Sequence, residues 1–263
     1  MMFDRDPLAA PVDELIKAGR DGLFALPKAV EAAATREAEL RAKAQSLTTV
    51  ERGQVGVLIE RLSDELAAGS DAGDIAATIA KAETAERRVD IEQRVYVTAH
   101  AKAQRLKIAT VVEAAPTIMR ALQAGFEELL DKVRSLTELR GLPVDDAEAF
   151  LDTKDPARRA VIALRRARDR FDAIVNARRQ LQMVTRAPQR DTEGLFSVLR
   201  DPKGVFGDRW RGRHLTAARP WPKGRLAYLV WLAEQDAWLP DADQQDSAAE
   251  ALAHESRQPV GSR

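Results

Sequence analysis

The fold is decided by residues 74–140, which read DIAATIAKAETAERRVDIEQRVYVTAHAKAQRLKIATVVEAAPTIMRALQAGFEELLDKVRSLTELR. Residues that favour the helix fill this stretch, and only the pair Ala115-Pro116 interrupts it. Pro116 predicts either a kink in one long helix or the first turn of a second helix. An unbroken helix of this length would span about 100 Å. We therefore expect either a fold-back at Pro116 or an elongated protein.

The two halves of this stretch have different apolar patterns. Before Pro116 a seven-residue repeat consists of Ile75, Ala82, Val89, Tyr96, Ala103 and Thr110. The predicted partner positions of that repeat are Thr78, Ala85, Glu92, Ala99, Leu106 and Glu113. Half of the partner positions are not apolar, so the first half predicts a small-residue face for a bundle or a loose coiled coil. After Pro116 a continuous apolar stripe, typical of a core helix, consists of Ile118, Leu122, Phe126, Leu129, Val133 and Leu136.

The composition favours an all-α fold. Charged residues make up 31% of the 263 residues and aromatic residues only 5%, a balance that disfavours a β-sandwich. The sequence has no cysteine, which excludes disulfides, thiolate metal sites and cysteine nucleophiles. The charged amino terminus does not look like a signal peptide, and no apolar run reaches the length of a membrane span. We expect an elongated helical bundle with long, partly coiled-coil-like helices, located in the cytoplasm or in a virion and not in a membrane.

Five regions are predicted along the chain. Residues 1–27 form an N-terminal arm, residues 28–153 an acidic helical bundle, and residues 154–186 an arginine-rich helix. Residues 187–240 form a basic and aromatic region, and residues 241–263 an acidic, disordered tail.

The region 187–240 contains two predicted elements. A short β-hairpin near residues 195–207 is predicted from the turn sequence Asp201-Pro202-Lys203-Gly204, with a short helix and loop as the alternative. A helix over residues 226–239 is apolar nearly all round, so it must be buried in its own fold or in a partner.

Charge is distributed unevenly along a chain whose net charge is zero. Residues 1–153 contain 20 basic and 27 acidic residues (net −7), residues 154–225 contain 19 and 7 (net +12), and residues 226–263 contain 2 and 7 (net −5). The basic middle region indicates an acidic or phosphate-bearing partner. The alternative is that it neutralises the acidic parts of its own chain or of a sister subunit.

Two groups of basic residues are candidates for contacts with a nucleic acid or an acidic partner. They are Arg158, Arg159, Arg165, Arg166, Arg209, Arg211, Arg213 and Lys223. Arginine suits this role because its charged guanidinium binds phosphate in a bidentate manner. Pairing of Arg165 with Asp169, or of Arg168 with Asp172, favours instead a solvated or inter-subunit salt-bridge face.

Four tryptophans are candidate docking residues, namely Trp210, Trp221, Trp231 and Trp238. Tryptophan interleaved with basic residues is typical of single-stranded nucleic-acid contacts. It is also typical of a loop whose rings pack beneath an apolar helix, and we favour that interpretation because the helix at 226–239 needs cover.

No catalytic motif is present. The sequence lacks the Gly-rich phosphate loops, the H-E-x-x-H zinc motif and the G-x-S-x-G nucleophile elbow. His100, His214 and His254 lie far apart in the sequence, and His100 is predicted to pack locally against Tyr96. We expect no enzymatic activity, no catalytic residue, no cofactor and no metal site.

Two functions are therefore considered. The first is a non-enzymatic structural or assembly protein that forms a homo-oligomer or docks a protein partner. Its layout resembles that of phage-type scaffolding, connector and minor virion proteins in style, without matched residues. The alternative is a nucleic-acid-binding protein with a helical oligomerisation domain and a basic contact region at residues 154–225, which would bind less tightly as salt rises.

Overall fold

The computed structural model describes residues 6–48, 54–68, 74–139, 141–146, 155–185, 198–206 and 221–255. Helix predominates in these segments, and none of their residues belongs to a sheet, so the predicted all-α fold is confirmed. The helices are α1 (Ala9–Arg20), α2 (Lys28–Thr48), α3 (Gln54–Ala67), α4 (Ile75–Arg134), α5 (Asp155–Thr185), α6 (Pro202–Phe206), α7 (Arg225–Glu234) and α8 (Ala242–Glu255). No helix in the described segments has an apolar stretch long enough to cross a membrane.

Helix α4 runs through Pro116 without interruption. Its 60 residues span about 90 Å at 1.5 Å per residue. Proline has no backbone N–H, so the carbonyl of Val112 loses its helical partner at this point. Val112 and Pro116 are both exposed, and solvent can bind that carbonyl instead. The chain therefore does not reverse at Pro116.

The chain divides into two compact units. Unit 1 comprises Met1–Pro27 and Val111–Arg263, and unit 2 comprises Lys28–Thr110. These boundaries differ from the predicted ones because α4 contributes its second half to unit 1 and its first half to unit 2. The N-terminal arm belongs to unit 1, where α1 packs on α5.

The core of unit 1 forms between α1, α5, α7 and the second half of α4. The largest side chains that are fully buried there are Leu15, Ile118, Leu122, Phe126, Leu130, Leu164, Ile174, Leu229 and Leu232. Arg178 interrupts the apolar seam of α5 as the sequence indicates, and it is buried. Its guanidinium donates a hydrogen bond to the Gln245 side chain of α8 at 2.8 Å.

Helix α7 begins at a cap that a distant residue provides. The Asp145 carboxylate accepts hydrogen bonds from the backbone N–H groups of Leu226 and Ala227, each at 2.9 Å. These groups lie in the first turn of the helix, which has no partners of its own for them. A Cβ atom at Gly224 would overlap the Asp145 carboxylate, so this contact requires glycine.

The predicted β-hairpin near residues 195–207 is wrong within the described part of the chain. Leu199 instead makes an isolated antiparallel bridge with Ala237. The turn sequence at residues 201–204 starts helix α6, because Asp201 Oδ1 accepts the Gly204 N–H at 2.9 Å and Pro202 suits a first helical position.

The predicted boundaries of the C-terminal elements also change. The apolar helix predicted for 226–239 ends at Glu234, and helix α8 occupies residues of the predicted disordered tail. A reciprocal capping box begins α8: Asp241 Oδ1 accepts the Gln244 N–H at 2.8 Å, and Gln244 Oε1 accepts the Asp241 N–H at 3.0 Å. Residues 256–263 of the tail lie outside the described residues.

In unit 2, α2 lies antiparallel to the first half of α4. Glu37 contacts Lys107 and Lys43 contacts Tyr96, so the residue number falls along α4 as it rises through α2. The first turn of α3 also contacts α4, because the Val55 N–H donates to Glu86.

Candidate functional site

A buried ionic cluster joins α2 to α4 inside unit 2. Glu37 Oε2 lies 3.1 Å from Lys107 Nζ, and Glu37 Oε1 lies 2.7 Å from His100 Nε2. Arg41 donates to the same Oε1 at 2.6 Å. Glu37 is 3% exposed and Lys107 is 1% exposed. Two opposite charges are therefore held together almost out of contact with water.

The environment of Glu37 keeps it ionised. Burial alone would raise the pKa of this carboxyl. The hydrogen bonds from Lys107 and His100, with the charges of Lys107 and Arg41, outweigh burial and lower the pKa below its usual value. At neutral pH the cluster therefore contains a carboxylate that faces donors on two helices.

His100 also binds Glu37 of α2, a contact between helices that the sequence analysis does not predict. Tyr96 lies beneath the Lys43 ammonium, which is 5.9 Å from the ring centroid. The local packing of His100 against Tyr96 stays a prediction. The sequence did contain a signal for the cluster. Glu37 lies on the apolar stripe of α2 seven residues from Val30 and from Ala44, and both of these residues are buried.

The seven-residue repeat of α4 is half confirmed. All six of its first positions, from Ile75 to Thr110, are half-buried. Four of the six predicted partner positions are wrong, since Thr78, Ala85, Leu106 and Glu113 are exposed, whereas Glu92 and Ala99 are half-buried. The side chains that lie one residue further along are half-buried or buried throughout, namely Ile79, Glu86, Gln93, His100 and Lys107.

Unit 2 also carries large apolar side chains that face solvent. Three are on α3 and three on the first half of α4: Val57, Ile59, Leu66, Ile91, Val95 and Leu106. Their exposed fractions range from 45% to 68%. Of the fourteen residues of α3, Leu62 alone is buried. Most of the apolar surface of α3 is therefore uncovered.

In unit 1, the first half of α5 presents the predicted arginines to solvent. We call Arg158, Arg159, Arg165 and Arg166 the arginine face, and all four are exposed. Arg168 pairs with Asp172 at 2.7 Å as predicted. In the described segments Arg165 does not pair with Asp169, and Arg158 and Arg166 form no ion pair either. Lys223 is exposed, whereas Arg209, Trp210, Arg211 and Arg213 lie outside the described residues.

The other predicted docking tryptophans contact aromatic or basic side chains of unit 1. Successive ring centroids lie 6.0 Å apart for Phe126–Phe171, 6.4 Å for Phe171–Tyr228, 5.8 Å for Tyr228–Trp231 and 6.4 Å for Trp231–Trp221. Trp238 lies beneath the Arg200 guanidinium, which is 5.2 Å from the ring centroid. The described tryptophans are thus half-buried in their own unit.

Arg168 connects this aromatic series to the charged surface. Its guanidinium lies 4.9 Å from the Phe171 ring centroid and also pairs with Asp172. Asp172 binds Arg225 of α7 at 2.5 Å as well. Burial raises the pKa of Tyr228, and the charge of Arg168 opposes that rise. This contact network fixes α7 on α5.

A groove with a volume of about 410 Å³ lies between α4 and α5 in unit 1. We call it the α4–α5 groove. Its apolar lining is formed by Leu129, Leu136, Ala163 and Ala167. Its rim contains three cations and one carboxylate, namely Lys132, Arg166, Arg170 and Glu128. An apolar floor beneath a basic rim is suited to an apolar ligand or side chain that carries negative charge.

Within the segments that the structure describes, no three histidine or carboxylate side chains form a group that could hold a metal ion. Comparison with protein-family models, with curated protein sequences and with solved structures finds no match to this chain.

Proposed function

We propose that this protein is a non-enzymatic assembly component that associates with further copies of itself or with a protein partner through unit 2. The observation that carries the proposal is the group of six exposed apolar side chains on α3 and α4. Single exposed apolar residues are common on soluble proteins. Several on two helices of one small unit are typical of a surface that another protein covers.

The buried ionic cluster supports the proposal in a second way. A buried charge pair contributes little net stability, but it selects one register of two packed helices where an apolar pair would tolerate several. The contacts of Glu37 with His100 and Lys107 therefore favour a single arrangement of α2 on α4. A binding surface that is held in one arrangement loses less conformational freedom when the partner binds.

We propose a role as a scaffold, connector or minor virion-type component on the likeness of its layout alone. The shared features are long helices, exposed apolar surface and segregated charge. This is a likeness of architecture, and it names no partner.

Light scattering coupled to size-exclusion chromatography tests the proposal. We expect a mass above the 29.0 kDa of the monomer that increases with concentration. Replacing Ile59 and Leu66 of α3 by lysine should restore the monomer mass. The matched control replaces Ile162 and Met183 of α5, which are exposed to a comparable degree, and should leave association unchanged. A wild-type mass of one chain at every concentration, with no protein partner retained, would refute the proposal.

A second candidate function is nucleic-acid binding through the arginine face. It is supported by the exposure of Arg158, Arg165 and Arg166 and by their lack of ion pairs in the described segments. Fluorescence anisotropy with labelled DNA and RNA should then show binding that weakens steeply as salt rises. Replacing all four residues of the arginine face by glutamate should abolish it. Binding that is absent at low salt, or that does not change on this substitution, would exclude this function.

A further inference from the structure

The exposed side of α3 combines apolar and acidic residues. One row along the helix contains Ile59, Ser63 and Leu66, at spacings of four and three. The neighbouring row contains Val57, Glu60 and Asp64. All six are exposed, and we call them the outer face of α3. Glu60 and Asp64 form no ion pair in the described segments, whereas Arg61 and Glu65 of the same helix pair with each other.

The α4–α5 groove of unit 1 has the complementary character. Its floor is apolar, and the excess charge of its rim is positive because Glu128 offsets only one of three cations. Glu128 is already 3.5 Å from Arg170. Lys132 and Arg166 form no ion pair with any described residue. The groove therefore leaves two exposed cations beside apolar surface.

The charges of the two surfaces are opposite. Glu60 and Asp64 lie four residues apart on α3, about 6 Å along the helix, and the cations of the groove that form no ion pair with a described residue are Lys132 of α4 and Arg166 of α5. An amphipathic helix in an apolar groove is a recurrent mode of protein recognition. We propose that the α4–α5 groove receives the outer face of α3 from a second copy of this chain. This inference rests on the proposed function in assembly.

The consequence is a head-to-tail contact between copies. The groove and the outer face of α3 are different surfaces, so each copy offers one of each. Contacts of this kind produce closed rings when the rotation between copies closes, and open filaments when it does not. The assembly should therefore either stop at a ring or continue to grow with concentration.

Charge-reversal variants test the inference. The acid variant carries Glu60→Lys and Asp64→Lys, and the groove variant carries Lys132→Glu and Arg166→Glu. The control carries Arg158→Glu and Arg165→Glu, which change the net charge by the same amount as the groove variant does, on another side of α5. Sedimentation velocity at low salt measures self-association, since screening weakens such contacts at high salt. Circular dichroism confirms that every variant remains helical.

The expected results differ between the variants. The acid variant and the groove variant should each raise the dissociation constant by about tenfold or more, because repulsive contacts replace attractive ones. The control should resemble the wild type. A chain that carries all four reversals should associate again, and so should an equimolar mixture of the acid and groove variants. Recovery in the mixture also shows that each variant is folded.

Three outcomes would overturn the inference, and they separate it from the proposed function. A wild type that remains monomeric removes both the proposed function in self-assembly and this inference. A wild type that associates, with a groove variant no weaker than the control, removes the inference alone. The same holds if both variants are weakened but neither the combined chain nor the mixture recovers, because the two surfaces then do not meet.

Discussion

Removing Glu37 should destabilise unit 2 far more than removing any of its exposed carboxylates. The substitution Glu37→Met deletes the carboxylate that lies 3.1 Å from Lys107 Nζ, while the ammonium stays 1% exposed. Removing one member of a buried pair costs about 3–5 kcal/mol, because Lys107 would then be buried without the opposite charge of Glu37. Lys107→Met should cost less, about 1–3 kcal/mol, because Glu37 still accepts hydrogen bonds from His100 and Arg41.

The double variant of Glu37 and Lys107 separates the energy of their interaction from the effect of losing each side chain alone. Replacing a buried ion pair by apolar side chains of similar volume is often close to neutral. We therefore expect Glu37→Met with Lys107→Met to cost less than Glu37→Met alone. Urea unfolding followed by helical circular dichroism gives the free energies of unfolding. The matched control is Glu39→Met, because Glu39 is exposed on the same helix and makes a surface pair with Arg36. The reasoning is refuted if Glu37→Met costs no more than the control, or if the double variant costs the sum of the single ones.

Three further predictions follow from single contacts. The lowered pKa of Glu37 stabilises the fold at pH values above the ordinary glutamate pKa of about 4.3, and this stabilisation is lost as the pH falls through the pKa of the folded state. The Tm difference between the wild type and Glu37→Gln should therefore shrink from pH 7 towards pH 3. A Tm difference that does not change with pH would contradict this prediction. Asp145→Ala removes two hydrogen bonds from the first turn of α7 and should lower the free energy of unfolding in urea by about 1–2 kcal/mol. Gly224→Ala should lower the free energy of unfolding less in the Asp145→Ala variant than in the wild type, because its Cβ atom no longer meets the Asp145 carboxylate. Equal losses in the two backgrounds would show that this overlap has no effect. Pro116→Ala restores a helical N–H at an exposed position and should raise the free energy of unfolding by about 1–2 kcal/mol, whereas a loss would indicate that the local geometry of the helix requires proline.

Much of the fold could be predicted from helix signals in the sequence. The long helix, the apolar stripe after Pro116 and the arginine-rich helix all appear in the structure. The wrong predictions concern helix starts at which a side chain binds the backbone of the first turn. The Asp201 and Asp241 carboxylates start α6 and α8 at positions that composition alone assigns to a turn and a tail. The cap of α7 comes from Asp145, about 80 residues away, and no local pattern predicts such a partner.

The neighbours Leu106 and Lys107 show why four of the predicted partner positions of the α4 repeat are wrong. Apolar periodicity alone selects Leu106 and rejects Lys107, yet Leu106 is 63% exposed and Lys107 is 1% exposed. The direction in which each of these side chains points is set by the other buried residues of the same continuous helix. Val111 is fully buried, and Lys107 precedes it by four residues and shares its face, whereas Leu106 precedes it by five residues and points about 140° away.

Lys107 can be buried on the packed face because Glu37, which lies on the apolar stripe of α2, provides the opposite charge. An apolar side chain at position 107 could tolerate several alignments of α2 on α4, whereas an ammonium needs its carboxylate at one position. The same rotation of the helix turns Leu106 to solvent, near the face that presents Ile91 and Val95. On α4, the buried Lys107 and the exposed Leu106 thus have one cause, which is the phase of the helix, and the same phase turns Ile91 and Val95 towards solvent.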